Sequence, residues 1–260
     1  MAEAAQRSEA RPTPIIEFKG ARVRFGSLDA MGPVDLSVKR GEFLAVIGPS
    51  GCGKSTLLNL VAGTLKPAEG EVLYRGLPVD GVNREIGYIT QKNHCLPWRT
   101  VEGNIRLPLE FRGYPKDKIA SRVASVLQQV GLAGFDKSYP RQLSGGMLQR
   151  VSIARTLAYA PDTYLMDEPF GSLDAQLRLR MHEEIMRLWQ ETGSTFVFVT
   201  HDLHEAITLA DRVVVISKRP GRIKLVVDID LPRPRDVIDL QSDPRFGAYF
   251  KQLWDALDVH

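Results

Sequence analysis

The chain has little of several features that mark other classes of protein. Its two cysteines, Cys52 and Cys95, form no disulfide framework and no closely spaced ligand pair, so we expect a reducing compartment. No apolar run approaches the ~18 residues needed to cross a bilayer, so we expect a soluble intracellular protein that borrows any membrane part from another chain. A formal net charge of +3, without a dense block of lysine and arginine, does not favour nucleic acid as a partner.

Composition and patterning predict a globular protein with one large domain, or one domain that carries an insertion. Hydrophobic residues make up 43% of the 260 positions, which is enough to fill a substantial core. The chain contains no internal repeat and no low-complexity segment. Residues 1–14 lack the apolar core of a signal peptide, so we expect them to form a loose tail.

Strand-like and helix-like patterns are ordered along the chain in a way that predicts an α/β fold. Short β-rich segments separated by glycine or proline predict an N-terminal antiparallel sheet, at residues 15–19, 21–25 and 34–38. Helical periodicity dominates from about residue 92 to 160, which we interpret as an inserted helical subdomain. The other predicted strands lie at residues 43–47, 71–74, 86–89, 163–166, 195–200 and 212–217. Predicted helices at 175–191 and 203–210 alternate with the last of these strands, as in a parallel sheet wound with helices.

Residues 48–55 fit the phosphate-loop pattern G-x-x-x-x-G-K-[ST] at every fixed position. A predicted strand precedes this turn and a predicted helix follows it, so several backbone N–H groups would converge on one anion. We expect Lys54 to reach the β- and γ-phosphates and Ser55 to hold Mg²⁺. Because Cys52 lies inside the loop, we also expect bulky thiol reagents to inhibit the protein. The expected nucleotide contacts in this segment are Gly48, Pro49, Ser50, Gly51, Cys52, Gly53, Lys54, Ser55 and Thr56.

Two carboxylates, Asp167 and Glu168, follow the apolar strand at residues 163–166. Ligands bind at the carboxyl edge of parallel sheets, where Asp167 could complete a Mg²⁺ shell. Glu168 could accept a proton from water that attacks the γ-phosphate. His201 follows the next strand and could donate a hydrogen bond to that phosphate. Taken alone, such acids are often solvated strand ends and such a histidine is often a surface group. The phosphate loop favours the functional interpretation.

A second helix start of the anion-binding kind occurs at residues 143–150, Leu-Ser-Gly-Gly-Met-Leu-Gln-Arg. It resembles the signature sequence of the ATP-binding cassette family. The resemblance covers roughly residues 15–230 and includes, in the family's order, the phosphate loop, Gln91, the signature, the strand acids, Ser172-Leu173-Asp174 and His201. We therefore predict an α/β fold: a P-loop NTPase core with a parallel sheet, an N-terminal antiparallel β-subdomain and an inserted α-helical subdomain.

The resemblance implies an ATPase that binds ATP and Mg²⁺ between two copies of the chain. The residues that would close on the ATP of the other copy are Ser144, Gly145 and Gly146. Gln91 would contact Mg²⁺ or the attacking water, Phe25 would face adenine, and Asp174 would cross the dimer interface. Phe25 could equally be a core strand residue. Asp174 could also cap the helix that begins at Ala175, and both roles of Asp174 can hold at once.

Residues 96–105, 218–223 and 230–236 resemble the nitrate, sulfonate and taurine importers of this family. The resemblance implies a peripheral subunit at the cytoplasmic face of the membrane. Its partners would be a transmembrane permease and, indirectly, an external substrate-binding protein. Met147 stands where the family usually has Gln or Glu, so we expect retuned or slower hydrolysis. Two alternatives stay open, an ATPase of another transporter type and a soluble ATPase that is not coupled to transport.

The C-terminal segment at residues 237–260 predicts a helical tail beyond an ATPase domain at 15–236. Apolar residues spaced by three and four fall on one helix face, namely Phe246, Tyr249, Phe250, Leu253, Trp254 and Leu257. This pattern fits an ordinary helix packed on its own domain, and it also fits a helix that docks on a partner.

Overall fold

The computed structural model describes residues 14–235 and 239–257. Apart from Pro14, the predicted N-terminal tail lies outside the described residues. The strands are β1 (Pro14–Phe25), β2 (Leu28–Lys39), β3 (Phe43–Ile47), β4 (Glu69–Tyr74), β5 (Leu77–Pro78), β6 (Ile86–Ile89), β7 (Thr163–Asp167), β8 (Thr195–Val199), β9 (Arg212–Ile216) and β10 (Ile223–Asp228). The helices are α1 (Lys54–Ala62), α2 (Val101–Phe111), α3 (Lys116–Gln129), α4 (Gly145–Ala158), α5 (Ala175–Thr192), α6 (Leu203–Leu209) and α7 (Pro244–Ala256). No helix in the described ranges is both long and apolar enough to cross a membrane.

Two sheets organise the fold. The larger sheet has the strand order β10-β9-β3-β8-β7-β6. Its strands β9, β3, β8, β7 and β6 run parallel, and β10 pairs antiparallel with β9. The smaller sheet is antiparallel, with the order β2-β1-β4-β5. The predicted α/β fold, with a parallel core sheet and an N-terminal antiparallel sheet, is confirmed.

The N-terminal sheet differs from its prediction in β1, in β2, which begins at Leu28 and not at residue 34, and in β5, which was not predicted. The sequence predicts two short strands around Gly20, whereas β1 runs through this position without a break. Gly20 adopts a φ of 59° at a register shift between Phe18 and Ala21, a bulge that a residue without a side chain tolerates. Its N–H donates to Asp35 Oδ1 at 2.8 Å, which keeps β1 attached to β2. β10 has no counterpart among the predicted strands. Its sequence pattern is too short to indicate a strand, and pairing with β9 stabilises the strand conformation.

Strand β3 is buried on both of its faces. Its residues Phe43, Ala45 and Ile47 belong to a core shared with α2 to α7. Its residues Leu44 and Val46 belong to a second core, shared with the antiparallel sheet and α1. Alternate side chains of a strand point to opposite faces, so a strand between two cores is apolar throughout. The phosphate loop therefore leaves the sheet from a rigid, fully packed strand.

Helices α2, α3 and α4 lie between β6 and β7 in the chain, within the stretch predicted to be helical. Val101, Ile105 and Leu109 of α2 are fully buried in the larger core. Asn104, also buried, ties the preceding loop to α2. Its Oδ1 accepts from the N–H of Leu96 at 2.8 Å and its Nδ2 donates to the carbonyl of Leu96 at 3.2 Å. The loop that follows Gln91 is thus attached to the helical region by one buried amide.

Helix α7 packs on the chain's own α6. Phe246 and Leu253 are buried, and His204 of α6 lies with its ring centroid 5.7 Å from Phe246 and 5.0 Å from Phe250. Of the two interpretations that the sequence left open, the structure shows the helix packed on its own domain. Trp254 is the apolar residue of this face that stays largely exposed.

Candidate active site

The phosphate loop joins the end of β3 to the start of α1. Gly51 and Gly53 have φ values of 75° and 109°, which residues with side chains rarely adopt. A Cβ atom at Gly48 would lie 2.7 Å from the carbonyl oxygen of Ile216, so glycine is required there by close approach. Gly53 is the N-cap of α1 and makes no side-chain cap hydrogen bond, so the first N–H groups of the helix face the loop. This geometry is an anion cradle.

Lys54 is a buried cation, with 6% of its surface exposed. Its Nζ donates to the carbonyl oxygens of Gly48 at 2.7 Å and Pro49 at 3.1 Å. Within the described ranges, no carboxylate lies at ion-pairing distance from this ammonium group. Burying a charge is costly unless an opposite charge compensates it. A phosphate chain in the cradle would supply that compensation, so the residues present fit a nucleotide.

Asp167 ends β7, is buried, and lies close enough to the Ser55 hydroxyl to interact with it. Burial raises the pKa of the Asp167 carboxyl above its ordinary value, and the neighbouring charge of Glu168 raises it further. A polar interaction with the Ser55 hydroxyl and the charge of Lys54 oppose this shift. A carboxylate and a hydroxyl at the foot of a phosphate cradle form the oxygen donor set that Mg²⁺ prefers. These two side chains therefore fit the metal that the sequence implies.

Glu168, Gln91 and His201 converge at the carboxyl edge of the sheet. They follow β7, β6 and β8 respectively. Gln91 Nε2 donates to Glu168 Oε2 at 3.3 Å, and His201 Nδ1 lies 3.3 Å from the same oxygen. Glu168 has a φ of 45°, a left-handed conformation that is strained for glutamate. The structure thus brings together three of the side chains that the sequence assigned to hydrolysis, and their roles stay predictions.

A cavity of about 300 Å³ connects the phosphate loop to this cluster. Phe25, with 52% of its surface exposed, lies on its wall, so Phe25 is not a core residue. The other predicted site residues that line it are Ser50, Gly51, Gly53, Lys54, Ser55, Thr56, Gln91 and Glu168. An aromatic ring, a cation and a carboxylate therefore border one cavity of nucleotide size.

Three residues that line the cavity were missed by sequence reasoning, namely Leu28, Ala30 and Arg219. Arg219 lies in the turn between β9 and β10, and its Nη2 donates to the carbonyl of Gly51 at 3.1 Å. The turn packs tightly on the phosphate loop, since a Cβ atom at Gly221 would lie 1.9 Å from the carbonyl oxygen of Cys52. The two segments are 168 positions apart, so no local pattern could have signalled this contact.

The signature residues lie outside this cavity in their own chain. Ser144 is the N-cap of α4 and accepts from the N–H of Met147 at 3.3 Å. Ser144 and Gly145 are exposed, and Gly146 faces the loop before α5, where its Cβ position lies 3.4 Å from the carbonyl oxygen of Ser172. Asp174 caps α5 by accepting from the N–H of Leu177 at 3.0 Å. Among the described residues, the lining of the cavity includes none of Ser144, Gly145, Gly146 and Asp174.

Cys52 points away from the cradle and into the core, with 1% of its surface exposed. Burial raises the pKa of its thiol, which lowers the fraction of reactive thiolate at neutral pH. From this geometry we do not expect Cys52 to react readily with bulky thiol reagents. The position of Cys52 in the sequence motif had led to the opposite expectation. The loop uses Cys52 as a small apolar residue, while its backbone remains part of the cradle.

Comparison with known proteins gives consistent results. A family model described as ABC transporter matches residues 31–171. The chain is 50% identical over 245 residues to an uncharacterized ABC transporter ATP-binding protein of Methanocaldococcus jannaschii, which covers 94% of this chain and 88% of the relative. It is 43% identical over 211 residues to the aliphatic sulfonates import ATP-binding protein SsuB of Bacillus cereus, which covers 81% of this chain and 82% of the relative.

Two solved structures resemble the fold. A dimeric bacterial ABC transporter cassette aligns with a TM-score of 0.76 and 31% identity, over 84% of this chain and 100% of that chain. A dimeric post-hydrolysis state of an ATP-binding cassette bound to ADP and Pi aligns with a TM-score of 0.75 and 30% identity, over the same shares of 84% and 100%. The family model matches more than half of the chain, and the Methanocaldococcus jannaschii relative is 50% identical over 94% of it. This protein therefore belongs to the ABC transporter family, as the ATP-binding ATPase subunit of a transporter.

Proposed function

We propose that this ATPase subunit drives an importer for a small organic or inorganic anion, such as nitrate, a sulfonate or taurine. In this proposal a separate transmembrane permease carries the anion, an external binding protein supplies it, and the subunit lies on the cytoplasmic face of the plasma membrane. Support comes from the relative named as an aliphatic sulfonate import protein, at 43% identity. The importer-like segments at residues 96–105, 218–223 and 230–236 support the same subgroup.

The main support for ATP hydrolysis by this chain is the cluster of Gln91, Glu168 and His201 beside the phosphate-loop cavity. In the proposed mechanism Glu168 accepts a proton from the attacking water, because its carboxyl group belongs to a residue that lines the phosphate-loop cavity. Gln91 orients the water or contacts the metal. His201 donates a hydrogen bond to the γ-phosphate, where negative charge accumulates.

ATP and Mg²⁺ would be held by the residues that border the cavity. The backbone N–H groups of residues 48–56 and the ammonium of Lys54 bind the phosphates, and Phe25 stacks on adenine. Ser55, Asp167 and Gln91 would hold Mg²⁺, with Asp167 acting through a water molecule. When bound, the metal neutralises phosphate oxygens and keeps the chain of phosphates in line for attack.

In this proposal two copies of the chain close around two ATP molecules. Ser144, Gly145 and Gly146 of one copy would bind the phosphates held by the other, and Asp174 would cross the interface. Support comes from the exposed start of α4, which does not line the cavity of its own chain. The two solved cassettes at 30% and 31% identity are dimeric by their titles.

The permease would contact the helical subdomain, at about residues 92–160 of an ATPase domain that we assign to residues 15–236. A cavity of about 620 Å³ lies beside this region, lined in part by Tyr88, Phe111 and Tyr159. Phe111, at the end of α2, is 83% exposed and lines this cavity, so the surface would offer the permease a large apolar side chain. Closure of the two copies would move this surface and so drive the permease.

Replacement of Glu168 by Gln tests the hydrolytic assignment. We expect ATP hydrolysis to fall by about 100-fold or more, with ATP still bound and a dimer retained, because the amide keeps the shape and loses the base. Phosphate release and sedimentation with MgATP measure the two effects. Glu183→Gln makes the same chemical change on the exposed face of α5 and serves as the matched control. Parental hydrolysis by Glu168→Gln would show that Glu168 is not the base.

Co-purification tests the importer assignment. Tagged Glu168→Gln, isolated from solubilised membranes of its own cell with MgATP, should retain a polytopic membrane protein. The reconstituted assembly of parent and permease should then hydrolyse ATP faster when the binding protein and its anion are added. Co-purification with ribosomes or DNA, or stimulation only by lipids and hydrophobic compounds, would refute the importer while leaving the ATPase in place.

A further inference from the structure

Helix α5 touches both loops that carry the proposed hydrolytic residues. We call residues 168–174, which contain Glu168 and Asp174, the acid loop. We call residues 200–202, which contain His201, the histidine loop. The contacts come from two α5 side chains, Arg178 and His182, which lie four positions apart and so share one face of the helix.

His182 is connected to the histidine loop through a buried carboxylate. The ring is 4% exposed, and its Nε2 lies 3.2 Å from Glu205 Oε1. The second carboxylate oxygen, Oε2, accepts from the hydroxyl of Thr200 at 2.6 Å. The Thr200 hydroxyl in turn accepts from the N–H of Asp202 at 3.0 Å. This chain of hydrogen bonds reaches the residues on both sides of His201, and its two bonds to Glu205 are buried.

The same imidazole packs on the acid loop. Its ring centroid lies 5.0 Å from that of Phe170, with an interplanar angle of 65°, which is an edge-to-face contact. Phe170 is fully buried two residues after Glu168, and its ring also lies 5.6 Å from that of Phe198 in β8. A displacement of His182 would therefore release the acid loop and the histidine loop together.

Arg178 makes a second connection between the two loops. Its Nη2 donates to the carbonyl of Leu173 in the acid loop at 3.2 Å, and its Nη1 lies 3.9 Å from Asp202 Oδ2 in the histidine loop. The other oxygen of Asp202 caps α6, accepting from the N–H of His204 at 2.8 Å. A partly exposed ion pair adds little stability on its own. Its value lies in orientation, because one rigid guanidinium bonds to Leu173 and lies beside the carboxylate of Asp202.

We propose that Arg178 and His182 are positioning residues that hold the acid loop and the histidine loop at a fixed distance, so that Glu168 and His201 meet at the nucleotide. This inference rests on the proposed roles of Glu168 and His201 in hydrolysis. Within the described ranges, neither positioning residue lines the phosphate-loop cavity. They would therefore act on the chemical step, and ATP binding would be left nearly unchanged.

The alternative is that His182 only fills space in the core. Steady-state kinetics of the purified full chain distinguishes this packing role from the positioning role. We expect His182→Ala to lower kcat by about tenfold or more with KM for ATP within about twofold, because small displacements of catalytic groups cost rate rather than binding. His182→Gln should restore kcat to within about threefold, because its amide can donate to Glu205 as the imidazole does. Met186→Ala removes a buried side chain one turn further along α5, and should lower Tm while keeping kcat.

Arg178→Lys provides a second test that does not remove a buried ring. It keeps the positive charge but cannot reach Leu173 and Asp202 together, so kcat should fall by about threefold to tenfold at unchanged KM. The inference is overturned if His182→Ala loses no more kcat than Met186→Ala, if KM rises while kcat holds, or if His182→Gln fails to rescue. A parent without ATPase activity, or a Glu168→Gln variant with parental activity, would instead refute the proposed function and this inference with it.

Discussion

Single residues at the active site show how the backbone itself is used to aim side chains. Glu168 is held at a φ of 45°, which costs a non-glycine residue roughly 1–3 kcal/mol. Its N–H donates to the carbonyl of Val199 at 2.9 Å, so the neighbouring strand β8 helps to hold this conformation. The result is that two successive carboxylates diverge. Asp167 stays buried beside Ser55, and Glu168 turns toward Gln91 and His201.

A first prediction at this scale concerns Cys52. In a Cys95→Ser background, a bulky maleimide at pH 7 should modify folded protein at least about tenfold more slowly than urea-unfolded protein, because the thiol is buried and its pKa is raised. The sign follows from the thiol chemistry. A raised pKa leaves less thiolate at a given pH, so the rate should still be rising with pH beyond the ordinary value of 9.0, where an unperturbed thiol would level off.

Mass spectrometry of timed aliquots measures the modification of Cys52. The Cys52→Ser variant, in which only Cys95 remains, gives the comparison with a half-buried thiol. Complete modification of folded Cys52 at the unfolded rate would show that the loop opens readily, which would contradict the packed conformation.

At the scale of elements, one arginine connects the end of α6 to the chain beyond β10. Arg235 is buried, and its Nη1 donates to the carbonyls of Ile207, Thr208 and Ala210 at 3.2, 3.1 and 2.7 Å. Its Nη2 donates to those of Ile229 and Leu231 at 3.0 and 3.2 Å. Carbonyls at a helix C-terminus lack intrahelical partners and carry partial negative charge. Burial lowers the pKa of Arg235 to about 10, which still leaves it charged at neutral pH.

The second prediction is that Arg235→Ala destabilises the fold. We expect a loss of about 3 kcal/mol in the free energy of unfolding, because five buried carbonyls lose their donors while no water can reach them. Urea unfolding followed by circular dichroism measures this change. Arg180→Ala, on the exposed side of α5, is the matched control and should change the free energy by less than about 0.5 kcal/mol. Equal stability of the two variants would contradict the structural role of Arg235.

At the scale of the whole molecule, the parallel sheet assembles the candidate site. Strands β6, β7, β8 and β3 run in one direction, so Gln91, the two strand acids, His201 and the phosphate loop all emerge at one edge. The start of α4 does not join them within the chain. In the proposed dimer, a second copy of the chain would bring its own Ser144 to this edge of the sheet.

The third prediction tests the dimer. Ser144→Arg places a long cation at the exposed start of α4, so each chain should fold normally but fail to close on ATP. In a Glu168→Gln background, sedimentation with MgATP should show monomers where the parent background shows dimers. Ser121→Arg adds the same charge at an exposed position of α3 and should leave dimer formation intact. A normal ATP-dependent dimer of Ser144→Arg would remove the proposed contact between copies.

Local patterns were sufficient for several parts of the structure. The phosphate loop was predictable because the positive φ values of Gly51 and Gly53 are a requirement of the local turn itself. The caps of α4 and α5 were readable because Ser144 and Asp174 bond to N–H groups only three positions away. The continuity of strand β1 was not predictable from local patterns. A glycine such as Gly20 can form either a turn that ends a strand or a bulge that continues it, and the sequence does not distinguish the two.

The amino-acid sequence by itself determined the kind of chemistry and the order of the elements, because glycine spacing, apolar periodicity and capping act over a few residues. Only the tertiary structure decided which distant side chains meet. Gln91 and Glu168 are 77 positions apart, and Arg219 reaches the phosphate loop across 168 positions. His182 of α5 meets Glu205 of α6 across 23 positions of the chain. Such meetings depend on strand order and packing, which no local pattern encodes.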